Sequence, residues 1–75
     1  MKACILVKTT SGRHNVVAKR VSKLGGVSLA FSVLGRTDVV ANVSVSDLKE
    51  LGSLAFEIGG LPGVLATETL IALEV

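Results

Sequence analysis

The sequence predicts a small α+β domain in which two β-α-β units are packed together. One observation is a near-repeat, because Leu24-Gly25-Gly26-Val27 returns as Leu61-Pro62-Gly63-Val64 about half the chain further on. Each copy follows apolar residues at helical spacing and precedes a run that is typical of a strand. The chain has 75 residues, which is the size of one domain. These observations predict the order β-α-β-β-α-β in a single domain over residues 1–75.

The first unit begins with a short apolar run over residues 3–8, which predicts a strand. The polar residues 9–12 predict a turn, and the hydroxyl of Thr10 or Ser11 is expected to cap a helix. Gly25-Gly26 is expected to end this helix. Its apolar positions are Val16, Val17, Val21 and Leu24.

Two alternating runs, Val27 to Leu34 and Val39 to Val45, predict neighbouring strands in the middle of the chain. The link between them, Gly35-Arg36-Thr37-Asp38, is short and polar and contains glycine, so a hairpin is expected. Regular alternation places the bulky residues of the first run on one face of the sheet. These are Val27, Leu29, Phe31 and Val33.

A second helix and a last strand complete the second unit. Ser46 is a favourable N-cap, and Asp47 and Glu50 in the first turn suit the positive end of the helix dipole. Gly59-Gly60 ends the helix, and the final strand is expected over residues 64–75. The apolar stripe of the helix is Leu48, Leu51, Leu54, Ala55 and Ile58.

Right-handed crossovers place both helices on one face of a four-stranded antiparallel sheet, which is a ferredoxin-like arrangement. The bulky face of the second strand is expected to meet the helices. The other face has no helix to cover it, and its side chains are small enough for a second sheet to approach closely. We therefore expect two copies to pack face to face as a dimeric α/β barrel. The residues assigned to this uncovered face are Ser28, Ala30, Ser32, Val40, Asn42 and Ser44.

The composition also favours a homo-oligomer. The chain is 49% apolar, and a domain of this size hides only about 60–65% of its unfolded surface. Cys4 is the single cysteine, so no disulfide within the chain can stabilise it, and no Cys/His cluster suggests a metal.

No apolar run has the length of a membrane span, and the apolar stretch near Met1 is too short for a signal peptide. A cytoplasmic location is therefore expected, without membrane association.

Charge is distributed unevenly along the chain. All but one of the eight Lys and Arg residues precede position 37, and all six Asp and Glu residues follow it. One interpretation is that the two halves complement each other, within a subunit or between subunits. The other is a basic face for an anionic partner.

The sequence indicates a protein that is not an enzyme and needs no cofactor. Cys4 and His14 are the only nucleophile and base that resemble part of a catalytic triad, and a packed thiol and a surface imidazole explain them better. No glycine motif for dinucleotides or phosphates is present. RNA-binding domains with this element order stack bases on aromatic residues of the open sheet. Phe31 is expected on the helix side and Phe56 in the second helix, so that mode is excluded.

Two polar segments interrupt the apolar pattern, namely the link over residues 35–38 and Thr67-Glu68-Thr69 in the last strand. A hairpin turn and ordinary strand threonines are one interpretation. The other is a site for a zwitterion, in which Asp38 accepts an ammonium group while backbone N–H groups and threonine hydroxyls bind a carboxylate. The candidate ligand-binding residues are Gly35, Arg36, Thr37, Asp38, Thr67 and Thr69.

The chain resembles the effector-binding (RAM) domain of the Lrp/AsnC, or feast/famine, transcription regulators. The matching segments cover nearly the whole chain, at residues 3–9, 24–27, 32–38, 45–48, 61–64 and 67–71. The resemblance implies a dimer built by packing two sheets, and dimers assembling into tetramers, octamers or larger rings. It also implies that an amino-acid effector binds between dimers, near Gly35, Asp38, Thr67 and Thr69.

Full regulators of this kind carry an N-terminal helix-turn-helix domain, whereas here nothing precedes Met1-Lys2. A stand-alone effector domain is therefore expected, which modulates full-length regulators and does not bind specific DNA by itself. The turn of the family commonly has an aromatic residue where this chain has Thr37. Two alternatives are a small dimeric α/β-barrel enzyme, of the monooxygenase or isomerase kind, and an ACT-like amino-acid sensor.

Overall fold

Six secondary-structure elements follow one another in the order β-α-β-β-α-β, which confirms the predicted arrangement. A computed structural model describes residues 1–73 of the chain. The elements are β1 (Lys2–Thr9), α1 (His14–Val21), β2 (Val27–Ser32), β3 (Val39–Ser44), α2 (Leu48–Gly59) and β4 (Val64–Ile71). The last strand therefore ends at Ile71, and the predicted continuation to Val75 reaches residues 74–75, which lie outside the described part.

The four strands form one antiparallel sheet in the order β2-β3-β1-β4. Alternate residues of the two central strands are buried with the apolar stripes of both helices, so both helices lie on one face of the sheet. α1 packs over β2 and β3, and α2 packs next to β4. The most completely buried side chains are Ile5, Val7, Val17, Val21, Val39 and Ile58.

The register of β2 differs from the regular alternation expected from its sequence. Val27 pairs with Val43, but the next pair is Leu29 with Asn42, so Ser28 is an extra residue in a β-bulge. Beyond the bulge every side chain changes face. Phe31 then lies opposite Val40, which belongs to the face without helices.

The prediction that Leu29 and Phe31 face the helices is therefore wrong, as is the assignment of Ala30 and Ser32 to the uncovered face. Ala30 and Ser32 pair with the buried residues of β3 and lie on the helix side.

We call the face opposite the helices the open face. Its members, from the strand registers, are Lys2, Cys4, Leu6, Lys8, Leu29, Phe31, Val40, Asn42, Ser44, Ala66, Glu68 and Leu70.

The open face is consequently more apolar than the sequence suggested. Leu29 is 55% exposed and Phe31 is 41% exposed, and Leu70 at the far strand is 48% exposed. Phe31 lies on the open face, so the prediction that it faces the helices and is unavailable for base stacking is wrong. Phe56 lies in α2, as predicted, so Phe31 is the one aromatic ring on the open face among residues 1–73.

The start of α1 also differs from the prediction. The helix begins at His14, and its N-cap residue Arg13 makes no side-chain capping hydrogen bond. Thr10 and Ser11 do not cap it because they belong to a turn that contains Gly12, whose φ is +79°. That turn is closed by the hydrogen bond from the amide of Arg13 to the carbonyl oxygen of Thr10, 3.1 Å long. The hydroxyls are therefore too early in the chain to reach the first free amides of α1.

α2 has a fully formed N-terminal cap, one residue later than expected. Asp47 is the N-cap, and its carboxylate accepts a hydrogen bond from the amide of Glu50 at 2.8 Å. The Glu50 carboxylate in turn accepts hydrogen bonds from the hydroxyl and the amide of Ser46. These two hydrogen bonds, the hydroxyl first, lower the pKa of Glu50 below its ordinary value. This reciprocal arrangement is similar to a capping box and fixes where α2 begins.

The connection between β2 and β3 is longer than the predicted four-residue link. β2 ends at Ser32, and Leu34 has a fully exposed side chain. The amide of Val33 still donates to the carbonyl oxygen of Asp38, 2.9 Å away, so the loop is closed across its base.

Within residues 1–73 no helix is both long enough and apolar enough to cross a membrane.

Candidate functional site

The segment Gly35–Asp38 lies beside the last residues of β1. The amide of Asp38 and the hydroxyl of Thr37 both donate to the carbonyl oxygen of Val7, at 3.0 and 2.9 Å. The amide of Thr9 donates to Oδ2 of Asp38 at 2.8 Å. Side chains of this turn thus continue the hydrogen bonding of β1 beyond its pairing with β3. The turn is held firmly at its C-terminal half.

The carboxylate of Asp38 is stabilised by this environment. The hydrogen bond from the Thr9 amide is the main cause that lowers the pKa of Asp38, and the nearby charges of Lys8 and His14 lower it further. The sequence assigned Asp38 to a ligand ammonium group. The structure shows that one of its carboxylate oxygens binds the protein backbone, so a structural role is established for this residue.

β4 lies on the other side of β1 and pairs with the same residues. Thr67 pairs with Val7 and Thr69 with Ile5, so both threonines lie on the helix side of the sheet. Glu68, between them, pairs with Leu6 and lies on the open face. Because β1 is central, it brings the turn and β4 to opposite sides of a single strand.

A groove forms where the turn, β1 and β4 meet, and we call it the turn–strand groove. Its volume is about 370 Å³, within the range of small-ligand sites. Arg36, Thr37 and Thr67, from the predicted set, line this groove together. The remaining lining residues are Leu6, Lys8, Ala66 and Glu68.

Three of the predicted site residues do not line the turn–strand groove. Gly35 lies at the start of the turn, where an added Cβ would meet nothing within 4 Å, so its backbone is open to approach. Asp38 is turned to the end of β1. Thr69 lies further along β4 and is half-buried. The sequence therefore anticipated the meeting of the two segments, but only half of the predicted residues share the groove.

Lys8 and Glu68 are the charged residues of the groove that the sequence analysis did not select. Nζ of Lys8 lies 3.4 Å from the carbonyl oxygen of Arg36, which directs its charge toward the turn. In the sequence, Lys8 directly follows an apolar run and Glu68 interrupts another. This interruption of the apolar pattern was the one sequence feature that could have identified the two residues as part of a site. An exposed position on a strand explains such residues equally well, so the pattern alone did not identify them.

Two larger hollows have a different character. One, of about 500 Å³, lies on the open face between the N-terminal part of β1 and the ends of its neighbours, and includes Lys2, Cys4 and Asn42. The other, of about 560 Å³, lies between α2 and β4 beside Phe56 and is lined mainly by glycine and alanine. The turn–strand groove is smaller, but it alone among these three combines both signs of charge with hydroxyl groups.

Acid is expected to weaken the turn through Asp38. Its folded-state pKa is lowered, so the hydrogen bond from Thr9 contributes fully above the ordinary pKa of aspartate, and the contribution is lost as pH falls through the lowered value. Asp38→Asn keeps an acceptor oxygen but removes the charge. Urea unfolding midpoints between neutral pH and about pH 3 should fall less steeply for this variant than for the wild type. Glu57→Gln on α2 is the control, and an unchanged slope for Asp38→Asn would contradict the assignment.

A family profile described as the Lrp/AsnC ligand binding domain matches residues 2–75. Among curated proteins, the HTH-type transcriptional regulator FL11 of Pyrococcus horikoshii is 32% identical over 74 residues. That alignment covers 99% of this chain and 49% of the regulator. The chain thus spans about half the length of the curated relatives that it matches.

Two solved structures are similar to this chain over nearly its whole length. The crystal structure of TTHA0845 from Thermus thermophilus has a TM-score of 0.92 at 32% identity, covering 99% of this chain and 94% of that one. The crystal structure of FFRP-DM1 has a TM-score of 0.88 at 30% identity, covering 96% of this chain and 97% of that one. These similarities extend through both β-α-β units and the turn between them.

Proposed function

The chain belongs to the Lrp/AsnC ligand-binding domain family, and from that premise we propose that it binds a free amino acid in the turn–strand groove and acts through assembly of its copies. A regulatory ligand-binding module is what the family and its transcription-regulator relatives support. The single observation that carries the finer proposal is the groove itself. It brings Arg36, Thr37 and Thr67 together from segments that are distant in the sequence.

The chemistry of the groove suits a small zwitterion. Arg36 and Lys8 supply cationic donors, and the carboxylate of Glu68 supplies an acceptor. Gly35 and Asp38 contribute by shaping the turn, one through open backbone and the other through its hydrogen bond to Thr9. The proposed ligand is therefore held by side chains of the groove, while the two ends of the turn hold those side chains in place.

The open face supports the proposed assembly into dimers. Leu29, Phe31 and Leu70 expose apolar surface there, and no helix covers it within residues 1–73. Packing two such faces together removes this surface from water and compensates for the small core of a single domain. We propose that pairs assemble further, as the family resemblance implies, and that full-length regulators of the family are partners.

Binding, and not catalysis, is the activity we propose. Cys4 lies on the open face of β1, whereas His14 begins the helix on the opposite side of the sheet. A nucleophile and base must be within hydrogen-bond reach of each other, and the sheet separates these two. Specific DNA recognition is likewise not proposed for this chain alone.

Calorimetry with the common amino acids tests the proposed ligand. We expect at least one to bind the wild type, and Arg36→Gln to weaken that binding by about 10- to 150-fold, because a hydrogen bond to a charged group contributes about 1.5–3 kcal/mol. Arg20→Gln is the matched control, since Arg20 is an exposed arginine of α1 outside the groove. Absence of binding by every amino acid, or equal weakening by both substitutions, would contradict the proposed site.

A further inference from the structure

We propose that the exposed side of α1 is a docking surface for double-stranded DNA, which it binds by the phosphate backbone without regard to base sequence. We call this surface the basic helix face, and its residues are Lys19, Arg20 and Lys23. The inference goes beyond the proposed function, because it involves neither the turn–strand groove nor the open face. It follows from the uneven charge of the chain, which the binding of an amino acid does not explain.

The cations of α1 lie on the side away from the core. The buried residues of the helix are Val17, Ala18 and Val21. Because an α-helix has 3.6 residues per turn, Lys19 lies on the opposite side, and Arg20 next to it is also exposed. The amide of Lys23 donates to the carbonyl oxygen of Arg20 at 3.2 Å, so the backbone holds Lys23 one turn beyond Lys19. Three cations are therefore neighbours on exposed surface.

The basic helix face remains accessible in the proposed dimer. α1 packs over β2 and β3 on the helix side of the sheet, opposite the open face through which two copies are proposed to pack. A partner bound to the outside of the helix layer therefore does not compete with the second copy. Two copies packed by their sheets would present one such face on each outer side.

Most acidic residues within residues 1–73 have other partners or lie on another surface. Asp47 and Glu50 form the N-terminal cap of α2, and Asp38 accepts a backbone amide at the end of β1. Glu68 lies on the open face, across the sheet from α1. Glu57 on α2 is the remaining acid of this part of the chain. Internal complementarity thus has one carboxylate for three cations, which favours the interpretation of an anionic partner.

The chemistry of the basic helix face suits a polyanion better than an apolar surface. Lys and Arg supply the charge and the N–H donors that contacts with a phosphate backbone require. α1 has no aromatic residue, and Val16 is its one exposed apolar residue. Protein interfaces depend on buried aromatic anchors, and membrane-bound helices insert an apolar face. The apolar face of α1 is already buried in the core.

Among polyanions, duplex DNA fits this surface best. A duplex has about one negative charge per 1.7 Å of its axis, so three neighbouring cations can contact several phosphates. Single strands are usually bound by stacking of bases on aromatic rings, which α1 lacks. The full-length regulators proposed as partners would also bring DNA near this face, and this last step alone rests on the proposed function.

Fluorescence anisotropy with short labelled DNA tests the inference. The wild type should bind two duplexes of unrelated sequence equally, and their single strands more weakly. With three phosphate contacts, the logarithm of the association constant should fall with the logarithm of salt concentration with a slope of about −2.7. That slope is a loss of about 40-fold between about 50 and 200 mM salt. Lys19→Gln should make the slope shallower by about one, and Lys19→Gln combined with Lys23→Gln by about two.

Lys49→Gln is the matched control, because it removes the same charge from an exposed residue of α2. It should leave the salt dependence unchanged, and an effect equal to that of Lys19→Gln would contradict the proposed surface. Absence of duplex binding by the wild type at about 50 mM salt would overturn the inference. Poly-L-glutamate is the competing probe, and binding as tight as that of the duplex would assign the surface to acidic polypeptides instead of DNA.

Light scattering distinguishes DNA docking from contact between copies of this chain. The double variant should keep the mass of the wild type, and a smaller mass would show that the basic helix face joins copies and is not free for DNA. The inference and the proposed function also fail separately. A wild type that binds duplex DNA but no amino acid would refute the proposed function alone, and the reverse result would refute the inference alone.

Discussion

Replacing Phe31 with glutamate is expected to convert the proposed dimer into folded monomers. Phe31 lies on the open face opposite Val40 and is 41% exposed in a single chain. If two open faces pack together, the new carboxylate is buried without a partner, which costs on the order of several kcal/mol. Association should weaken at least about a hundredfold, since each 1.4 kcal/mol is roughly tenfold. Light scattering measures the mass directly, and circular dichroism confirms that the variant remains folded.

The matched control for this substitution is Phe56→Glu. Phe56 is the other aromatic residue of the chain and is 86% exposed, but it lies on α2 at the opposite side of the sheet. The same change of chemistry there should leave the proposed dimer intact. A wild type that is itself a stable monomer, or Phe31→Glu retaining the wild-type mass, would rule out assembly through the open face.

Gly26→Val is expected to destabilise the fold more than any other glycine substitution considered. Gly26 has a φ of +92°, which a β-branched residue adopts only under strain. A Cβ at this position would lie 3.3 Å from side-chain atoms of both Leu54 and Val45. Backbone strain of about 1–3 kcal/mol adds to overpacking of about 1–3 kcal/mol. Urea unfolding at a fixed protein concentration should show a loss of about 2–6 kcal/mol.

Gly12→Val separates the two contributions. Gly12 also has a positive φ, +79°, but a Cβ there would meet nothing within 4 Å. Its substitution should therefore carry only the backbone strain of about 1–3 kcal/mol. Equal losses for both variants would show that Gly26 is not in close contact with α2 and with the residue that follows β3.

The order of the elements was predictable because it depends on the local spacing of apolar residues along the chain. That spacing is clear in both β-α-β units. The facing of β2 was not predictable in the same way. Leu29 and Ala30 are both compatible with burial, so nothing in the run marks the extra residue at Ser28. Only the pairing with β3 fixes which side chains turn outward, and that pairing is a tertiary property.

The candidate site was partly predictable for a similar reason. The polar turn and the threonine-containing strand interrupt apolar runs, and a central β1 brings them together. The role of Asp38 was not visible, because its acceptor bond to Thr9 depends on how the end of β1 meets the turn. The grouping of Lys8 with Glu68 likewise follows from the β1–β4 register, which the sequence does not specify.

Because of the bulge at Ser28, the residues of β2 are subject to two different structural constraints. Ala30 faces the helix layer and is constrained by the subunit's own interior, whereas Leu29 and Phe31 face away from it. If two open faces pack as proposed, sequence change at the two outward positions can alter which copies recognise each other without disturbing how each copy folds. In a cell holding several domains of this kind, a single strand would then set the boundary between self-pairing and mixing, and partner choice would be free to diverge while the scaffold stays the same.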